Sequence, residues 1–161
     1  MFVTMPQRLE TLTWAAVPPV FRSLARWITI AQAAGYGVSI VFARQTAARF
    51  LAAGGAGTDS HDLLLAAHSH LLGMTALFAL SGVSFALCDK PGEPFKRLVL
   101  VAPFAAILIA FVSVWMLRMS PVFTWPLLAA NLVMAVAFYT QIIFTLRALR
   151  RAEAGAEPRS L

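Results

Sequence analysis

Charge is what this sequence has least of. Asp, Glu, Lys and Arg together make up 12% of 161 residues, about half the ~25% typical of a soluble domain. A disordered chain is excluded, because disorder needs polarity and charge. A soluble domain of this length has too little interior for a composition that is 60% hydrophobic. The single cysteine, Cys88, excludes a disulfide framework. Acidic residues are absent from every long apolar run, which removes a carboxylate proton relay. There is no glycine-rich phosphate loop, no nucleophile elbow and no internal repeat of the inverted-transporter kind. What remains is an integral membrane protein, and the mean hydropathy of +0.76 agrees.

Four runs are long enough to cross ~30 Å of hydrocarbon as helices. They cover about 24–43, 63–87, 98–117 and 123–146, and they are too continuously apolar for the alternation of a barrel strand. The expected fold is therefore all-α, a single integral membrane four-helix bundle. Residues 1–23 contain no apolar h-region before a cleavage site and are expected to be retained, with Leu9, Leu12 and Trp14 lying at the membrane interface. Residues 44–53 extend the first helix beyond the membrane until Gly54-Gly55 ends it, and Thr58 to Asp62 offer N-caps for the second. Residues 147–161 form a basic tail.

The positive charge is distributed as topology anchors. Ten Lys/Arg flank one side of the predicted spans: Arg8, Arg22 and Arg26, then Lys90, Lys96 and Arg97, then Arg147, Arg150, Arg151 and Arg159. Three flank the other, namely Arg44, Arg49 and Arg118. By the positive-inside rule both termini are cytoplasmic, in a bacterial-type inner membrane. Spread along the flanks, the net charge of +6 suits anionic lipid and not nucleic acid. Cys88 then faces a reducing compartment.

Intramembrane polar groups are the functional candidates. His68 and His70 fall inside the second span, in its outer half. Two residues apart on a helix means about 200° around the axis, so the pair addresses two different neighbours. With His68 at the origin, Leu64, Leu71, Phe78 and Phe85 cluster as a lipid face, and Ser69, Gly73 and Ala76 as a close-packed inner face. Thr29, Gln32, Tyr36 and Ser39 line one stripe of the first helix; Asn131, Met134, Phe138, Gln141 and Thr145 line one of the fourth. Bundles build cofactor sites from such inward side chains.

Three chemistries suit these residues. Histidine is a common axial ligand of haem b, with Met116, Met119, a second copy of the chain or a partner subunit completing the pair, since all three histidines lie on or beside one helix. Imidazole with thioether also suits copper, drawing on His61, His68 or His70 with Asp59, Asp62, Met74, Met116 and Met119. Alternatively the histidines, with Tyr36 and Asn131 among the polar groups at comparable depth, bind a quinone or hydrogen-bond between helices.

The segment His68-Ser69-His70-Leu71 with Gly73 resembles the His-X-His helix of haem–copper oxidases and nitric oxide reductases, over about seven residues. In that family the two histidines bind different haems on opposite faces of one helix. The overall size resembles the small four-helix membrane cytochrome b subunits of respiratory dehydrogenases. These resemblances imply a small inner-membrane redox subunit, holding haem b or quinone and passing electrons to other membrane subunits. The alternatives are a cofactor-free accessory or assembly subunit, or a homo-oligomer, and a copper-binding membrane protein facing the periplasm.

Overall fold

A computed structural model describes residues 12–52, 60–117 and 119–155, with side chains for 12–41, 68, 71–117 and 119–155. Four helices account for most of it: α1 (Pro19–Ala52), α2 (Ser60–Ala86), α3 (Glu93–Met116) and α4 (Thr124–Ala154). Single 3-10 turns precede α1 (Trp14–Ala16) and α4 (Pro121–Phe123). No strand occurs among the described residues. Each helix is longer than its predicted span, α1 at both ends and the others at one end, because hydrophobicity marks the membrane core whereas backbone hydrogen bonding continues through the polar flanks.

Local chemistry sets the ends. Pro94 stands in the first turn of α3, where a missing N–H removes nothing, and Glu93 beside it complements the helix dipole. Ser120 turns the chain into α4 by accepting a bond from the Val122 N–H at 3.4 Å. The Gly155 N–H closes α4 on the Arg151 carbonyl, 3.0 Å away.

Helix α4 is the hub, packing against α1, α2 and α3, and its hairpin with α3 is the most extensive pairing. Cross-bundle contacts give the directions. Tyr36 meets Phe138 and Arg22 meets Ala152, so α1 is antiparallel to α4. Phe78 meets Phe138 and Phe85 meets Phe144, so α2 is parallel to α4. One end of the bundle therefore holds the start of α1, the α2–α3 connection and the end of α4.

The core has two storeys. The larger contains Tyr36, Phe78, Ala106, Ile107, Ala130, Met134, Phe138 and Ile142. The smaller, at the basic end, contains Trp14, Phe85, Cys88, Val99, Ala148 and Leu149. Helix α1 supplies Arg22, Thr29 and Tyr36 at seven-residue intervals, all buried, which is the spacing of a nearly parallel helix seam.

The facing of α2 and the place of Trp14 both differ from expectation. Phe78 and Phe85, assigned by the helical wheel to the lipid face of α2, are both 0% exposed, whereas Gly73 and Ala76 of the expected inner face are exposed. Large rings and small residues alternate on that seam: Phe78 lies edge-on to Tyr36, Phe104 and Phe138, while Ser81 and Gly82 are buried beside it, Gly82 with Leu100 close against it. Trp14 does not lie on the membrane either. It is buried, its indole N–H donates to the Ser84 carbonyl at 3.0 Å, and its backbone N–H reaches the Leu87 carbonyl.

Candidate functional site

The polar groups inside the bundle converge on a proline. Pro103 is buried within α3 and has no N–H to give the carbonyl four residues earlier, that of Val99. Gln141, fully buried on α4, supplies the missing donor: its Nε2 lies 3.1 Å from the Val99 oxygen. Its Oε1 accepts in turn from Ser81 Oγ on α2, at 2.5 Å. Three helices are joined by one satisfied network. Proline in a membrane helix is tolerated where a neighbour answers the freed carbonyl in this way.

Most other polar side chains in the spans bond to their own helix. Thr29 Oγ1 donates to Ala25, Ser39 Oγ to Tyr36, Ser113 Oγ to Ile109 and Thr140 Oγ1 to Val136, each at 2.7 Å. These bonds satisfy hydroxyls in an apolar medium and leave little donor capacity for a ligand.

The residues proposed from sequence are scattered. His68 is exposed on the outer surface of α2. The side chains of His61 and His70 lie outside the described residues. Tyr36 is buried, its ring 4.5 Å from that of Phe138 and 5.9 Å from that of Tyr139. Asn131 is exposed on α4 and turns its Nδ2 back to the Leu127 carbonyl at 2.8 Å. Met116 ends α3 half-buried, and Met119 in the following turn is 78% exposed. Tyr36 thus belongs to the aromatic core, whereas Asn131 and Met119 lie on the outside of the bundle. Among the described residues no three His, Cys, Asp or Glu side chains cluster as a metal site.

The outer surface indicates the medium. Val20, Phe21, Trp27, Leu72, Val83, Leu98, Val101, Leu108, Trp125 and Leu132 are each more than half exposed, and they come from all four helices. Large apolar side chains exposed on every helix are what a bilayer-facing surface presents and a soluble monomer rarely does. Two helical stretches, Glu93–Met116 and Pro121–Ala154, are long and apolar enough to cross a membrane, and Leu71–Ala86 is a shorter apolar stretch. Only 28% and 33% of the two most apolar windows is buried, so these are not the core helices of a soluble protein. Residues 59–156 match a family of transmembrane helical domains, Aq_1264_TM. The chain belongs to that family. No curated protein and no solved structure matches it.

The Aq_1264_TM match takes in α2, α3 and α4 entire, and with them the Ser81–Gln141–Val99 network, His68, Asn131 and Met116. Helix α1, with Arg22 and Tyr36, lies before it. That helix is tied to the family domain at the basic end. Arg22 is buried and donates from Nη1 to the Ala152 carbonyl at 2.5 Å, one of the four carbonyls that the end of α4 leaves without a helical donor. Arg26 pairs with Glu153 alongside. Cys88, just past α2, is buried with Trp14 in the same storey, and burial pushes its thiol above the ordinary value, against the smaller opposing influences of Thr145 and then Lys96. The sequence signal for the central network was present: a proline inside a span announces an orphan carbonyl four residues before it, and a buried glutamine is the group to meet it.

Proposed function

We propose that the chain is a membrane subunit crossing the bilayer four times, with the basic end cytoplasmic, that works through contact with another membrane chain in the outer half of the bilayer. The observation that carries this is Asn131. It is exposed on α4 six residues inward of Trp125, a distance of about 9 Å along the axis. Trp125, 73% exposed, is the interfacial anchor of that end. An amide at this depth faces hydrocarbon in the isolated chain. Its intrahelical bond uses one donor and leaves the carbonyl oxygen to be met from outside. His68 supports the same reading. Measured from the Ser81–Gln141 bond, it stands only about 5 Å further out than Asn131, and it too is exposed.

A haem b, a quinone or a copper ion fits this reading only as a group shared across the contact. Within one chain the described side chains leave His68 without a second ligand, and Tyr36 is committed to the aromatic core. The resemblance of the His68-Ser69-His70 helix to a haem-binding helix therefore points to the assembled complex. One further observation favours quinone: the indole N–H of Trp115, half-buried near the outer end of α3, has no acceptor among the described residues. A quinone carbonyl takes such a donor.

The test is photo-crosslinking from positions 68 and 131 in native membranes, with position 108 on the exposed face of α3 as control. Protein adducts at 68 and 131, but not at 108, are expected, and their mass distinguishes a second copy from a different chain. A Soret band in the mildly solubilised complex, lost in His68→Ala, identifies haem. Lipid adducts alone at all three positions overturn the proposal.

A further inference from the structure

A basic groove opens at the other end of the bundle from His68. Lys90, on the connection after α2, faces Arg147, Arg150 and Arg151 of α4 across a cavity of about 380 Å³ with Phe144 in its wall. The three arginines follow helical spacing of three and four, so they share one face of the last turns. Among the described residues one carboxylate pairs with this set: Asp89 Oδ1 lies 3.8 Å from Arg151 Nη2. Four cations against one anion leave the groove strongly positive, a charge that the negative end of the α4 dipole offsets only in part.

The groove is amphipathic, and in the four-span arrangement proposed above, on which this step rests, it lies at headgroup depth. Phe144 rests against Phe85 and Phe95, and from Phe95 an exposed apolar track continues along α3 through Leu98 and Val101. From Trp125 at the outer boundary to Arg147 is 22 helical residues, about 33 Å, against a hydrocarbon core of ~30 Å. The guanidinium groups thus stand where lipid phosphates stand, with an acyl-chain surface directly beneath them.

We infer that this groove binds the phosphate of an anionic phospholipid, with Lys90, Arg147 and Arg150 holding the headgroup and the Phe144–Phe95–Leu98 surface holding its chains. Arginine pairs matched to phosphate oxygens provide the directional part of that recognition. The site would anchor the end of α4 that also receives Arg22 and Arg26.

The test uses the purified full chain in detergent, with bound lipid counted by native mass spectrometry. The probes are phosphatidylglycerol, phosphatidylcholine of the same acyl chains, and inorganic phosphate. One phosphatidylglycerol per chain is expected, retained at least tenfold better than phosphatidylcholine and undisturbed by millimolar inorganic phosphate. The Lys90→Gln/Arg147→Gln/Arg150→Gln variant should fall to the phosphatidylcholine level, while Arg97→Gln, outside the groove, retains binding. Arg150→Gln alone, checked for parental helix content by circular dichroism, should lose two- to threefold. Equal retention of the two lipids, equal loss in Arg97→Gln, or unchanged binding in both groove variants overturns the inference. Displacement by inorganic phosphate makes it a free-phosphate site and overturns the lipid assignment.

Discussion

Gln141 donates to the carbonyl of Val99 across the α3–α4 hairpin at 3.1 Å, and Val99 is the residue whose helical donor Pro103 removes. The proline and the glutamine are thus two halves of one arrangement. Gln141→Leu should leave Val99 orphaned in a buried apolar setting and destabilise the bundle by ~1–3 kcal/mol. In a Pro103→Ala background the helix recovers its own donor, and the same substitution should be milder by about 1 kcal/mol. Unfolding of the four proteins in mixed micelles measures both. Equal losses in the two backgrounds would show the bond to be incidental.

Ser81 completes the network from α2, donating to Gln141 Oε1. Intramembrane hydrogen bonds between side chains average only ~0.6 kcal/mol. Ser81→Ala is accordingly expected to be mild beside Gln141→Leu, and Ser81→Val to do more harm through overpacking against Gln141. The same micelle titration ranks the three.

Trp14 ties the turn before α1 to the end of α2, and Arg22 ties α1 to the end of α4. Trp14→Ala removes a buried indole and should destabilise by ~3–5 kcal/mol, and Trp14→Phe, which loses chiefly the bond to Ser84, by about 1 kcal/mol. Trp27 is 67% exposed, and Trp27→Ala should leave micelle stability almost unchanged. Thermal unfolding followed by circular dichroism separates the three.

Cys88 gives a pH dependence with a definite sign. Burial raises the folded thiol above its ordinary value of 9.0, and that shift stabilises the fold in the neutral form. The contribution is fully present below pH 9 and is lost as pH rises toward the folded value, because the unfolded chain ionises first. Stability should decline above pH 9 in the parent and decline less in Cys88→Ala. Maleimide should modify the native protein slowly at pH 8 and the denatured protein quickly.

The four helices were legible in the sequence because length and apolar continuity are strong signals. The extension of α1 to Ala52 was equally legible, since neither glycine nor proline occurs between Arg44 and Gly54. The facing of α2 was not legible. In a membrane helix lipid-facing and bundle-facing positions are both apolar, so hydropathy cannot tell Phe78 from Leu80, and only the packing of Phe78 among Tyr36, Phe104 and Phe138 decides it. Trp14 misled for a related reason: an aromatic residue at a span end suits the interface and suits a buried plug equally well. The basic flanks were read as a count, but their gathering into one groove depends on the parallel course of α2 and α4. Of the polar residues, Asn131 and Gln141 occupy one stripe of one helix by sequence, yet the first is exposed and the second is sealed.

The central claim is a bundle crossing the membrane four times with its basic end inside. Single cysteines in a Cys88→Ala background test it directly, at Leu12, Lys90 and Met119, probed in intact cells with a membrane-impermeant maleimide. Labelling of Met119→Cys in intact cells, with Leu12→Cys and Lys90→Cys labelled only after permeabilisation, is the predicted result. Labelling of positions 90 and 119 from the same side would contradict the account.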